Sequence, residues 1–301
     1  MKYLDYRTNL NKYIQLSTTF CILILGLFSY GCANKSYEAK PETISNKKLI
    51  KESYKLYNSG KPEQALFALN EAIQKNPQAA MLYYNRALCF QKKGLLDKAL
   101  NDYNQAHSLQ PDSIPILINR AKIYSSLSEE DRAIDDLKKA LKIDPQNALV
   151  HYNLGMIYSD LNRFEASITY YNKAIKNKPG MDQAYNNRGI AYLKTKKTEK
   201  AIKEFSKAIS INSQQAKYYF NCASALIHKA SYEKAISNYT KAVSLDPDYA
   251  PAFFNRGILR IHLGKKSLGC SDLSIACDLG LGCDRLRQMR DLNYCQEKQT
   301  Q

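Results

Sequence analysis

Apolar residues recur three and four apart along most of this chain, and polar punctuation breaks the recurrence at short intervals. From Ala148 to Leu161, the spacing of Leu154, Ile157, Tyr158 and Leu161 predicts a helix. Asn162 and Arg163 interrupt it. A second run carries Phe164, Ile168, Tyr171 and Ala174 and ends at Lys178-Pro179-Gly180, where proline stops the helix and resets the chain. The pattern predicts two antiparallel helices joined by a short turn.

The same sentence is written seven times. Alanine falls at Ala72, Ala106, Ala140, Ala174, Ala208, Ala242 and Ala276, always 34 residues apart. Proline follows at Pro77, Pro111, Pro145, Pro179 and Pro247, with Ser213 in the one place missed between them. A fixed period of this length means stacked supersecondary units. Numbering places from Asn46, Ala80 and each 34th residue after, the eighth place holds Ser53, Ala87, Ala121, Gly155, Gly189, Ala223 or Gly257. The twentieth is mostly alanine, as at Ala65, Ala99, Ala133, Ala201 and Ala235. Phe90, Tyr124, Tyr158 and Tyr192 are expected to fill the spaces beside these small residues, because helix separation is set by side-chain size at the contact.

These residues together resemble the tetratricopeptide repeat family over residues 46–280. The resemblance implies an all-α fold, a right-handed superhelical solenoid of antiparallel helix pairs whose first helices line a concave groove. It implies a binding scaffold and no enzyme, since such a surface encloses no catalytic pocket of its own. The seventh copy departs most: Arg260 replaces the aromatic, Gly269 the second-helix alanine and Leu281 the proline. Terminal copies act as caps, so atypical residues are expected there. Residues 281–301 then read as a capping helix and a polar tail.

The sixth place is asparagine six times running, at Asn85, Asn119, Asn153, Asn187, Asn221 and Asn255. The family resemblance points this place into the groove. An amide both donates and accepts, so a ladder of them can hold the backbone of an extended peptide. The fifth place holds Tyr84, Ile118, Tyr152, Asn186, Phe220 and Phe254, a mostly apolar stripe that would touch peptide side chains. The other reading of the ladder is structural: the asparagines bridge adjacent first helices.

The N-terminus carries an address. Lys2, Arg7 and Lys12 precede the apolar run Phe20–Phe28 and then Ser29-Tyr30-Gly31-Cys32. The run is too short to span a bilayer comfortably and suits a signal-peptide core. The segment resembles a bacterial lipobox, with Ser29 where an aliphatic residue is usual. The resemblance implies removal of residues 1–31, lipid (palmitate among its acyl chains) on Cys32, and a membrane protein facing the periplasm or exterior of a bacterial envelope. An ordinary secretory signal or an uncleaved anchor is the alternative. Residues 32–45 are polar and read as a flexible tether.

Charge and cysteines refine the picture. The net charge of +16 raises nucleic acid as a partner. The lysines are scattered over every repeat, as at Lys173, Lys207 and Lys241, with no arginine stripe or base-stacking motif, so nucleic acid is not expected. Cys270, Cys277, Cys283 and Cys295 cluster in a chain bound for an oxidising compartment. A hairpin turning at Gly280-Leu281-Gly282 favours Cys277 with Cys283 and Cys270 with Cys295. Such cysteine-bearing hairpins also resemble the Sel1-like repeats. Cys89 and Cys222 occupy apolar helix places and read as buried thiols. His228 and His262 share a place in consecutive repeats, without a third ligand for a metal. No cofactor is expected. Taken together, the sequence suggests a membrane-tethered scaffold binding protein or extended peptide during envelope assembly, with a cell-wall or polysaccharide-binding protein as the second reading.

Overall fold

The computed structural model of the protein describes residues 44–291 and Cys295. The proposed signal peptide, Cys32, most of the tether and the end of the tail lie outside the described residues. The described residues fall in two compact units, one ending at Pro179 and the other beginning at Gly180. They are all-helical, with no strand among them.

In the first unit, the helices are α1 (Ile44–Asn58), α2 (Pro62–Lys75), α3 (Ala80–Lys92), α4 (Leu96–Leu109), α5 (Ile114–Ser126), α6 (Glu130–Ile143), α7 (Ala148–Asp160) and α8 (Phe164–Asn177). The second unit holds α9 (Asp182–Lys194), α10 (Thr198–Ile211), α11 (Ala216–His228), α12 (Tyr232–Leu245), α13 (Ala250–His262), α14 (Lys266–Asp278) and the closing α15 (Cys283–Asp291). Each odd helix from α1 to α13 packs on the even helix that follows it, and within each unit that pair packs on the next. Among the described residues, no helix is long and apolar enough to cross a membrane.

Each hairpin turns through one left-handed residue. Gly60, Gly94, Ser128, Asn162, Lys196, Ala230 and Gly264 all have positive φ, and they too stand 34 apart. Here the chain closes its helix by two crossed bonds: Asn162 N–H donates to the Ser159 carbonyl and Arg163 N–H to the Tyr158 carbonyl. These bonds satisfy carbonyls that the helix end leaves bare. Four of the seven positions carry a side chain where glycine would sit without steric cost.

The core is a contact between a small residue and a large one. At the twenty-fourth place, the second helices supply Leu69, Tyr103, Leu137, Tyr171, Phe205, Tyr239 and Leu273, all essentially inaccessible. They press on the eighth place of the first helix. A Cβ built on Gly155 would lie 2.6 Å from the Tyr171 ring, and one on Gly189 would lie 2.7 Å from Phe205. This corrects the expected filling: Phe90, Tyr158 and Tyr192 remain half-exposed, and the large groups come from the second helix. The alanines of the twenty-seventh place, Ala72 to Ala276, are buried throughout.

A second device joins the helices. Arg120 in α5 reaches Asp136 in α6 through two bonds, Nε to Oδ2 at 2.7 Å and Nη2 to Oδ1 at 2.8 Å. Its Nη1 also donates to Asn104 Oδ1 on α4, the second helix of the preceding repeat. The pattern recurs at Arg86–Asp102, Arg188–Glu204 and Arg256–Asp272. Planar guanidinium suits this two-pronged grip on a carboxylate. Where the seventh place loses arginine, as at Leu154 and Cys222, the twenty-third loses its acid and becomes Tyr170 and Asn238.

The seventh hairpin replaces its missing packing groups. Gly257 and Gly269 face one another, a Cβ on the first falling 2.9 Å from the carbonyl oxygen of the second. Arg260 adds a second guanidinium to Asp272 at 2.8 Å. Disulfides Cys270–Cys295 and Cys277–Cys283 then close the chain on itself.

Two outcomes follow from this packing. Ala230→Gly relieves a left-handed alanine and raises stability by about 1 kcal/mol; an unchanged or lower midpoint in urea would count against the turn analysis. Arg120→Ala leaves the buried Asp136 with only Lys139, 3.7 Å away, and costs about 3 kcal/mol. Arg120→Leu with Asp136→Tyr, copying the pair of the fourth repeat, recovers most of that loss in the same titration.

Candidate interaction face

The first helices present the face on which the sequence places a ladder. The structure divides its asparagines. Asn119, Asn187 and Asn221 are partly accessible, whereas Asn85, Asn153 and Asn255 are buried. A simple rule explains what each amide does. Asn119 Nδ2 donates to the Tyr84 hydroxyl at 2.7 Å, and Asn221 Nδ2 donates to Asn186 Oδ1 at 2.8 Å. Each reaches back to the fifth place of the preceding repeat. Asn153 reaches back to Ile118 and Asn85 to Ile50, which have nothing to accept with, and both Nδ2 atoms are buried without a partner. Asn255 reaches back to Phe220 and turns instead to the Tyr239 hydroxyl at 3.4 Å. The ladder therefore bridges adjacent first helices at Asn119 and Asn221, where the fifth place can accept.

The fifth place itself must be reassigned. Tyr84, Tyr152, Phe220 and Phe254 are all buried, not spread along a groove. Tyr84 meets the Tyr103 ring with centroids 5.9 Å apart, Tyr152 meets Tyr171 at 5.8 Å, and Phe220 meets Tyr239 at 5.6 Å. Phe254 lies under the closing segment, where a Cβ on Gly282 would fall 2.4 Å from its ring. Aromatic edges are satisfied best against other rings, so these groups lock first helix to second.

The accessible face is instead built from the second, sixth and ninth places, which lie i, i+4 and i+7 on one side of a helix. In the first unit these are Met81 and Leu88 on α3, Pro115, Asn119 and Lys122 on α5, and Leu149 and Met156 on α7, each half-exposed or exposed. In the second unit, Gln183, Asn187 and Ile190 on α9 and Lys217 and Asn221 on α11 hold the same places, whereas Ser224 on α11 and Pro251, Asn255 and Ile258 on α13 are buried. Seven-residue spacing from the second place to the ninth was the signal in the sequence that marks this face.

The remaining sequence candidates sit apart from it. Cys89 and Cys222 are buried, and burial pushes both thiols up to about 11, so neither is a nucleophile near neutral pH. The four C-terminal cysteines are paired with each other. His262 stands against the Tyr232 ring, its centroid 5.4 Å away. Among the described residues, no cluster of three or more His, Cys, Asp or Glu side chains could hold a metal ion.

Stacked helix hairpins with an exposed first-helix face define the class: a helical-repeat scaffold for binding other proteins. More particularly, the chain carries tetratricopeptide repeats. The family model described as tetratricopeptide repeat matches residues 80–113, 148–181 and 183–215, and a related TPR repeat model matches 121–161 and 227–264. No curated protein matches the chain. Among solved structures, it is similar to a tetratricopeptide repeat protein from Parabacteroides merdae, 22% identical with a TM-score of 0.62, over 83% of this chain and 99% of that one. It is also similar to Pseudomonas aeruginosa pilF, 22% identical with a TM-score of 0.59, over 72% and 92% of the two chains. A third likeness, to a chain of the APC/C hetero-tetramer Cut9-Hcn1, has a TM-score of 0.65 at 16% identity, over 79% of this chain and 47% of that one. At these identities, the likeness shows the fold alone.

The two kinds of asparagine should behave differently. Asn221→Leu removes the bond to Asn186 and costs about 1–3 kcal/mol, because a buried partner is stranded. Asn153→Leu removes a buried amide nitrogen that has no partner and is neutral or stabilising. Equal losses in thermal or urea unfolding would show that the back-reaching rule is wrong.

Proposed function

We propose that this protein is a lipid-tethered scaffold of the bacterial envelope that holds an extended segment of another protein along its first helices. The observation that supports it most is the accessible face of the first unit. Its residues Met81, Leu88, Leu149 and Met156 are apolar and flanked by the amide of Asn119 and the ammonium of Lys122. Methionine is flexible and polarisable, which suits contact with varied side chains, while the Asn119 amide oxygen can accept from a bound backbone, its nitrogen being held by Tyr84 and Pro115. A polysaccharide is less favoured, because stacking on sugars needs exposed rings and the aromatic groups of the fifth place are in the core.

The tether rests on Lys2, Arg7 and Lys12, the apolar run at Phe20–Phe28 and Cys32. More than one acyl chain, at about 0.8 kcal/mol per buried methylene, would hold the protein at a membrane. An envelope address also agrees with the two disulfides at the other end of the chain.

Photo-crosslinking residues placed singly at Leu88, Lys122 or Met156 should capture one and the same protein segment in native membranes. The same group at Lys139 or Lys173, on the exposed side of second helices, should capture none of it. Equal capture from both faces overturns the groove reading. Cys32→Ser should release the protein into the soluble fraction, and continued retention overturns the lipid tether without touching the groove.

A further inference from the structure

In residues 180–278, the edge carrying the hairpin turns is strongly basic. Lys196, Lys197, Lys200 and Lys229 line a cleft of about 420 Å3 together with Thr198, Glu199 and His228. Lys229 bonds Glu199, which joins the turn of the fifth repeat to that of the sixth. The Tyr232–His262 ring contact carries the edge on to the seventh turn, where Lys265 and Lys266 are exposed. The opposite edge, where second helices end and first helices begin, carries Asp182, Asp246, Asp248 and Asp278.

Helix stability accounts for Lys196 and Lys229, which stand at the C-terminal ends of α9 and α11, but not for the cations that begin the next helices. Lysine is favourable at the C-terminal end of a helix and unfavourable at its N-terminal end. Yet Lys197 is the N-cap of α10 and Lys200 lies in its first turn, and Lys265 is the N-cap of α14, whose first turn has no acid. The matching cleft of the first unit is mixed and net acidic: Glu129 caps α6 with Glu130 and Asp131 in its first turn, against Arg132 and the α8 N-cap Arg163. The two clefts share one architecture and differ in sign.

We propose that the basic turn edge of residues 180–278 docks on anionic phospholipid headgroups. The cleft offers ammonium groups on flexible stems, with no aromatic ring or aliphatic side chain among its other lining residues apart from the imidazole of His228. Recognition there is by charge, repeated from turn to turn, which fits a plane of like headgroups. Within the cleft itself a segment of acidic protein would find no apolar anchor, the nearby rings of Tyr192 and Tyr232 being half-buried. The contact is electrostatic and so is screened by salt.

The test uses the full chain with vesicles of phosphatidylcholine alone, or of equal parts phosphatidylcholine and phosphatidylglycerol. Acylation of individual lysines by a water-soluble reagent is read by peptide mapping. Lys196, Lys197 and Lys229 should react several-fold more slowly on the anionic vesicles, and high salt should abolish the difference. The triple variant Lys196→Glu, Lys197→Glu, Lys229→Glu should lose the selectivity at its remaining edge lysines, Lys265 and Lys266, with helicity unchanged. The triple variant Lys203→Glu, Lys207→Glu, Lys241→Glu, with the same change in charge on second helices, should keep it. Equal rates on both vesicles overturn the proposal, as does uniform protection of all lysines. Protection by polyglutamate but not by vesicles would assign the edge to an acidic protein segment and overturn it as well. One protein is compared on two surfaces, so the result does not depend on whether Cys32 carries lipid.

Discussion

Everything in this fold depends on how closely the two helices of a hairpin can approach. The eighth place of the first helix is alanine or glycine in six of the seven repeats and serine in the other, and the twenty-fourth place of the second is a bulky group pressed against it. A methyl group separates the Ala repeats from the Gly repeats, and the ring or branch opposite has no room to give way in a close-packed interior. Because that contact fixes the helix separation, it also fixes where the rest of the first helix points. The fifth place is carried into the core, and the second and ninth places of α3, α5, α7 and α9 are left at least partly outside.

Much of this was written in the sequence, but not all of it was legible. The 34-residue period gave the helix pairs, because apolar spacing and the Lys178-Pro179-Gly180 break are local signals. The site was harder. Places five and six adjoin on the helix, and a one-residue step is about 100° of rotation, so periodicity alone did not say which of them faces out. That was decided by Tyr103, Tyr171 and Tyr239 on the other helix, which draw Tyr84, Tyr152 and Phe220 inward. The back-reaching bonds of Asn119 and Asn221 join residues 35 apart and are a tertiary fact. The arginine–acid pairs were legible in principle, since Arg86, Arg120, Arg188 and Arg256 follow the period and their acids appear and vanish with them.

The two faces of the molecule obey different physics. The first-helix face is a mixed surface of apolar and amide groups, where binding would rest on burial and backbone pairing. The turn edge of residues 180–278 is a surface of charges, where binding would rest on long-range attraction and fall with salt. Neither needs the other to form, since each is built from residues at different places of the same repeat. A single hairpin can therefore carry two independent recognition surfaces.

The uneven distribution of the arginine–acid pairs has a consequence for how the chain finds its fold. Seven near-copies of one hairpin invite mistakes, because a first helix can meet the second helix of the wrong copy with nearly the right shape. The pair is present in the second, third, fifth and seventh copies and absent from the fourth and sixth. A helix bearing Leu154 or Cys222 that docked beside Asp136 or Asp272 would bury a carboxylate without the guanidinium that grips it in its own hairpin. Such an encounter complex is short-lived, and its helices part and search again. The uneven placing of the pairs thus disfavours out-of-register docking of look-alike segments.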